Sequence, residues 1–258
     1  MCTISWLLSN DGYEVFFNRD EQHSRPKAEP PSLHSDINVI MPIDPQGKGS
    51  WAGSNLQGDT VCLLNNYQKQ ANMDSHRSYT SRGQLIPEVL QLASSSSIEN
   101  QLHSLNLDNY MPFILCVFPA DLSATNNSPS IYQWDGNQLS LEITEQPIIS
   151  SSVKITEVTE SRKSVFDKII KSGDNSQNHL KYHQSHLPEK GYLSVCMHRE
   201  DAQTQSLIHI LINDQIHFRY LGGALCENSE WTEITHEKSW PVNQNKEQPA
   251  ASVINHGP

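Results

Sequence analysis

A chain of 258 residues is long enough for one large sheet core and short for two independent ones. Hydrophobic residues make up 36% and charged residues 18%, which excludes a disordered chain and describes a globular one rich in uncharged polar surface. Eighteen Lys+Arg against 29 Asp+Glu give a net charge of -11 with no basic patch, which excludes nucleic acid as a partner.

No stretch approaches the roughly 18 apolar residues of a membrane span, so no span is expected. The first seventeen residues hold no Lys or Arg and no apolar run of signal-peptide length. The five cysteines, Cys2, Cys62, Cys116, Cys196 and Cys226, are scattered and contain no C-x-x-C pair. They argue against a disulfide framework and against a structural metal site, and the expected location is a reducing cytoplasm.

In chain order, Thr3–Leu8 and Tyr13–Phe17 predict a hairpin across Ser9-Asn10-Asp11-Gly12, with Cys2 held at its start. A Pro-rich stretch follows (Pro26, Pro30, Pro31, Pro42, Pro45) and reads as irregular chain over a pocket or the surface. A second hairpin spans Ser50–Asn55 and Thr60–Asn65. Helical spacing of Leu85, Ile86, Val89 and Leu90, then of Ile98, Leu102 and Leu105, predicts two helices.

Met111–Phe118, Ser130–Trp134 and Gln138–Ile143 read as strands, and Val165, Phe166, Ile169 and Ile170 as a helix ending near Gly173. Tyr192–His198, Ser206–Ile212 and Gln215–Tyr220 read as closing strands. The order implies an α+β fold of antiparallel sheets with helices outside. One domain is expected over residues 1–234. Residues 235–258, rich in Glu, Lys, Asn, Gln and Pro, read as a flexible polar tail. No repeat or protein–protein motif specifies an oligomeric state.

Met1-Cys2 is the first pair with chemistry. Removal of Met1 would leave a thiol and a free α-amine on one residue, and the amine, with a pKa near ~8, can take the thiol proton. The first hairpin returns Asn18-Arg19-Asp20-Glu21 beside Cys2, where Arg19 would stabilise a thiolate and Asp20 would orient the amine. On spacing alone, a solvated ion pair at a strand end explains Arg19 and Asp20 equally well.

Cys2, the block Asn18-Arg19-Asp20-Glu21 with Ser24-Arg25-Pro26, the segment Gly49-Ser50-Trp51-Ala52-Gly53, the ending Asn66-Tyr67, Arg82-Gly83, and the stretches Met111–Asp121 and Ser194–Glu227 together resemble the NRDE family, also called the transport and Golgi organisation 2 family. That family is similar in fold to choloylglycine hydrolases and penicillin V acylases. The resemblance therefore implies an N-terminal-nucleophile (Ntn) hydrolase-like αββα four-layer sandwich. It also implies Cys2 as nucleophile, Arg19 and Asp20 as its supports and Asn66 as an oxyanion donor. Where relatives place a second asparagine, this chain has Ser150-Ser151-Ser152, whose hydroxyls reach less far.

Two functions stay open on the sequence. One is an N-terminal cysteine amidohydrolase cleaving a linear amide C–N bond through Cys2. The other, placed slightly ahead because of the serine run and because NRDE relatives are implicated in haem trafficking and lipid handling, is a carrier of an apolar or amphipathic ligand. Asn18, Trp51, Tyr67 and Ser151 would line its cleft. No cofactor is required; haem is a candidate bound ligand, although no C-x-x-C-H or Cys-Pro pair is present. His179, His183 and His186 would share one helix face, a spacing that suits a metal, but their polar surroundings favour a solvated face. Cys196 and His198 would share a strand face, and a packed core cysteine explains that pair equally well.

Overall fold

The hairpin at the N-terminus forms as its residues predict. In the computed structural model, which describes residues 1–74, 76–91, 95–126 and 128–239, β1 (Cys2–Ser9) pairs antiparallel with β2 (Gly12–Gln22) from Cys2 opposite Arg19 to Ser9 opposite Gly12.

The Pro-rich stretch is not irregular as expected. It forms β3 (Glu29–His34) and β4 (Val39–Ile43). Pro30 and Pro31 lack amide donors, but β3 is the edge of its sheet, and the register shifts between Glu29 and Ser32, so no ladder bond is lost there. The second hairpin is β5 (Ala52–Asn55) and β6 (Thr60–Asn65). The Asn55 carboxamide oxygen accepts from the amides of Gln57, Gly58 and Asp59 and so shapes its turn.

Helices α1 (Leu85–Leu90) and α2 (Ser95–Ser104) follow, then β7 (Phe113–Phe118), β8 (Ser130–Trp134), β9 (Leu139–Glu142) and the short β10 (Ile148–Ser150). Next come α3 (Ile155–Ile170), α4 (Ser176–His183), β11 (Ala202–Ile212), β12 (Gln215–Gly222) and β13 (Trp231–Glu237). Tyr192–His198, expected as a strand, forms none. Its backbone is turned into local bonds such as His198 N to Gly191 O and Cys196 N to Ser185 O.

The expected tail starts too early in the sequence reading. Thr235, His236 and Glu237 pair with His217, Ile216 and Gln215, and Lys238 donates to Ala120 O. Alternating polar residues in β13 conceal a strand whose exposed face needs no apolar side chains. Residues 240–258 lie outside the described residues.

The strands form two antiparallel sheets, one ordered β10-β1-β2-β11-β12-β13 and the other β3-β4-β5-β6-β7-β8-β9. Ile4, Phe17, Ile210 and Phe218 of the first meet Ile40, Cys62, Leu64 and Phe118 of the second, all fully buried. Each such side chain contributes about 1.5–3 kcal/mol by leaving water. Leu85, Val89 and Leu102 cover the outer face of the seven-stranded sheet against Val61, Leu63 and Leu115. Helices α3 and α4 cover the six-stranded sheet, Leu180 against Leu207 and Leu221, with Val165, Phe166 and Tyr182 packed between the two helices. The result is the expected αββα α+β sandwich. Among the described residues no helix is long and apolar enough to cross a membrane.

Candidate functional site

β1 and β2 alternate, and the alternation sorts the candidate residues. Ile4, Trp6, Val15 and Phe17 face the inter-sheet core, so Cys2 and Arg19, which share their parity and lie opposite one another, open toward the second sheet. Asn18 and Asp20 fall on the other face. There the Asp20 carboxylate accepts from Arg162 of α3 at 3.3 and 3.4 Å and from Thr204 Oγ1 at 2.6 Å, while Arg162 also donates to Thr3 Oγ1 at 2.5 Å. Asp20 and Arg162 are buried side chains of the outer layer. Asn18 donates to the carbonyls of His183 and Val195 and is fully buried. The sequence expectation of Asn18 as a ligand-lining residue is therefore corrected: it fastens β2 to α4. The Asp20 carboxylate likewise holds Arg162, while its backbone carbonyl accepts from the Met1 amine at 3.1 Å.

Cys2 lines a cleft of about 250 Å³ with Arg19, Trp51, Tyr67 and Arg82. Burial pushes its thiol up to about 11, against the opposing pull of the terminal amine and of Arg19. A neutral thiol is a poor nucleophile. With Met1 in place, the Cys2 nitrogen is a peptide amide, and Asp20 N donates to Met1 O at 2.9 Å. The Met1 side chain is buried with Val158, Met197 and Ala202.

Arg19 lies 4.6 Å over the Trp51 ring and donates to Glu21 at 3.2 Å and Asp44 at 3.1 Å. Arg25 donates to the same Asp44 at 2.6 and 2.9 Å. Burial raises the Asp44 carboxyl, but Arg25 and the Gly47 amide outweigh it and hold it below the ordinary carboxylate range. Arg82 donates to Pro112 O at 2.9 Å and has no carboxylate partner among the described residues. Burial lowers its pKa. Three arginines thus face two acids around the cleft. Glu21, Arg25, Asp44 and Arg82 were not named as site residues from the sequence. Period-2 alternation through Asn18-Arg19-Asp20-Glu21 was the signal that could have found Glu21.

The cleft closes where two glycine backbones meet: Ser50 N donates to Gly83 O at 2.9 Å, and a Cβ on Gly49 would lie 2.3 Å from the Gly83 carbonyl carbon. That approach accounts for the glycines of Gly49-Ser50-Trp51 and Arg82-Gly83.

A second hollow of about 220 Å³ adjoins, sharing Asn65 and Tyr67 with the first, and is lined by Asn66, Ile114, Ile148 and Ser150. Asn65 Nδ2 donates to the Tyr67 hydroxyl at 2.8 Å, fixing the ridge between them. Asn66 Nδ2, Ser150 Oγ and Trp51 Nε1 are buried without a hydrogen-bond partner among the described residues. Ser150 stands opposite Cys2 across β1 and β10. Ser151, the serine expected at the ligand, also lines this hollow, and its hydroxyl donates to Val153 O at 2.5 Å, closing its own turn. Of the sequence candidates, Cys2, Arg19, Asp20, Trp51, Asn66, Tyr67 and Ser151 line these two hollows, and Asn18 lines neither.

The three helical histidines part company. His179 and His183 are fully buried on the outer face, bonded to Ser5 Oγ at 2.7 and 2.9 Å and stacked on Phe16, so the solvated face expected there is absent. Asp174 meets His179 Nε2 at 2.9 Å. Ser5, His179 and Asp174 thus carry the residue types of a hydrolytic triad, but Ser5 is sealed beneath α4 and touches neither hollow. His186 lies apart from both.

Two antiparallel sheets clad by helices, with a cysteine at the head of a central strand, make an Ntn-hydrolase-like fold. Residues 1–253 match the family Transport and Golgi organisation 2, and the chain belongs to that family. In fold the chain is similar to a mutant conjugated bile acid hydrolase from Clostridium perfringens, at 9% identity and TM-score 0.54 over 93% of this chain and 97% of that one. It is also similar to the Caenorhabditis elegans ortholog of N-acylethanolamine-hydrolyzing acid amidase, at 11% identity and TM-score 0.50 over 82% and 92%. No curated protein matches the sequence.

Proposed function

We propose that this protein carries a small amphipathic ligand, an acyl lipid with an anionic head, in the paired hollows beside Cys2. The observation that carries the reading is Arg82, a half-buried guanidinium on the cleft wall that pairs with no carboxylate among the described residues. An anionic head group would supply that missing partner. The neighbouring hollow offers Ile114 and Ile148 to an apolar chain. Haem, whose carboxylates could engage the same arginine, is the alternative ligand; among the described residues no histidine lines either hollow, which leaves side chains such as Met1, Cys2 and Tyr67 to reach its iron. Five free cysteines support a reducing, cytoplasmic setting.

A second reading, amide hydrolysis, draws on the unpartnered Asn66 amide and on two fold neighbours, one named a conjugated bile acid hydrolase and the other an ortholog of an N-acylethanolamine-hydrolyzing acid amidase. Titration of wild type, Cys2→Ser and Arg82→Gln with oleate, methyl oleate and haemin, alongside an N-acyl amide assay, separates these readings. The carrier binds oleate stoichiometrically, ignores Cys2→Ser and loses about tenfold or more in Arg82→Gln, the worth of one charge-assisted hydrogen bond. An acyl adduct on Cys2 would overturn it, as would equal affinity for the uncharged ester; tight haemin binding without oleate binding would transfer the cleft to haem.

A further inference from the structure

Scattered in sequence, His186, Cys196, His198 and Cys226 meet in space. Their Nε2 and Sγ ligand atoms all lie within 4.8 Å of one another, and none of the four residues lines the Cys2 cleft. His198 Nε2 is the common vertex: His186 Nε2 is 3.3 Å from it, Cys226 Sγ 3.4 Å and Cys196 Sγ 3.7 Å. One imidazole nitrogen has either one proton or one lone pair, so a hydrogen bond at His198 Nε2 engages one of these three neighbours at a time. A tetrahedral cation satisfies all of them. With bonds of ~2.0–2.1 Å to nitrogen and ~2.3 Å to sulfur, a tetrahedral zinc ion sets its nitrogen pair ~3.3 Å apart and each nitrogen–sulfur pair ~3.6 Å apart. The three separations from His198 follow that pattern.

We propose that His186, Cys196, His198 and Cys226 form a structural zinc site. The two imidazoles bind through neutral Nε2, and the two thiols release their protons to solvent as they bind. The donor set suits Zn²⁺ among the common divalent ions, because thiolates disfavour Mg²⁺ and Ca²⁺ and four protein ligands leave no open position for catalysis. The ligands come from three places: the turn after α4, the segment before β11, and the connection between β12 and β13. Residues 184–201 contain no helix or strand, although Cys196 is fully buried, and a connection of that length inside a domain calls for a fastening of its own. Zinc would tie it to the end of the six-stranded sheet.

The full chain, expressed with zinc in the medium and passed through gel filtration, should retain one Zn²⁺ per chain by elemental analysis. Cobalt replacing it should show the intense thiolate-to-cobalt band and tetrahedral visible absorption. Cys226→Ser, at an exposed position whose substitution leaves the core intact, and His186→Ala should each weaken zinc retention by more than about tenfold, the least that even outer-shell changes can cost a metal site. Wild type without zinc and without a cobalt–thiolate band overturns the proposal, whatever the variants do. So does equal zinc retention in wild type and both variants, or an intact mass two hydrogens light that maps to a Cys196–Cys226 disulfide in protein handled under reducing conditions.

Discussion

Cys2 and Asp20 lie on paired strands one register step apart, and their side chains leave the six-stranded sheet on opposite faces. The Asp20 carboxylate is committed to Arg162, and both side chains have 0% exposure. Asp20 therefore joins β2 to α3, while Arg19, its neighbour, belongs to the cleft.

Removing one partner of so buried a pair leaves an unpaired charge in the interior. Arg162→Met is expected to destabilise the fold by about 3–5 kcal/mol, and adding Asp20→Asn should recover much of that loss by removing the orphaned charge. Urea denaturation at neutral pH measures both. A loss under about 1 kcal/mol in the single variant would mean that water reaches Asp20.

Gly49→Ala tests the close approach that floors the cleft. The new Cβ would meet the Gly83 carbonyl carbon at 2.3 Å and its oxygen at 2.4 Å, both backbone atoms that cannot rotate away. Separating the segments breaks the bond from Ser50 N to Gly83 O. The expected cost is about 2–4 kcal/mol, within the range for overpacked and strained sites, with oleate affinity reduced in parallel. Unchanged stability and binding would show that the two segments part without consequence.

Much of the architecture was legible because its signals are local. The hairpin of β1 and β2 announces itself by alternation around a two-residue turn, and the helices of the outer layers by apolar spacing. What was illegible depends on tertiary context. Pro30 and Pro31 read as breakers because nothing in the sequence shows that β3 is an edge. β13 hides in polar composition because one of its faces meets solvent. Asp20 was assigned to Cys2 because spacing brings backbones together, whereas pleating decides where side chains go. The polar surroundings of His179 and His183 in sequence are not their surroundings in space, where Phe16 and Ser5 meet them from β1 and β2.

His183 should make the fold sensitive to mild acid. Asn18 uses its amide nitrogen on two carbonyls, so its oxygen accepts from His183 Nδ1–H at 3.0 Å, and His183 Nε2 then accepts from Ser5 at 2.9 Å. That arrangement is a neutral imidazole, and burial, aided by nearby His179 and Arg162, holds its pKa well below the ordinary 6.5. Above pH ~6.5 neither state binds the proton and the group contributes nothing to the pH dependence; below it the unfolded chain takes up a proton that the folded chain refuses. Stability is expected to fall by up to about 1.4 kcal/mol per pH unit below pH ~6.5 from this residue alone. Urea midpoints between pH 8 and 5 measure the slope, and His183→Gln should flatten it. A profile equally steep in that variant would assign the effect elsewhere.

Ser150→Asn asks whether a missing donor alone separates this chain from an acyl-transfer enzyme. Ser150 faces Cys2 from β10 to β1, and its buried hydroxyl and the Asn66 Nδ2 in the adjoining hollow have no hydrogen-bond partner among the described residues. An asparagine at 150 would place a second amide donor there, and one such donor is worth about 10²–10³-fold in rate where the rest of the machinery is present. In the chain that keeps Met1, Cys2 carries no free α-amine to take the proton of its thiol. The Cys2 thiol is pushed up to about 11, the Asp20 carboxylate is spent on Arg162 across the sheet, and the histidine nearest in kind to a general base, His179, is sealed with Ser5 beneath α4. Oxyanion donors lower the barrier to attack; they do not generate the thiolate that attacks. Ser150→Asn is therefore expected to leave N-acyl amide cleavage at background, with no burst and no acyl mass on Cys2 in single-turnover mass spectrometry, while oleate binding changes little. A burst that disappears in the double variant Ser150→Asn, Cys2→Ser would show that Cys2 reaches its thiolate unaided, and the cleft would then belong to a hydrolase that lacks a single hydrogen bond.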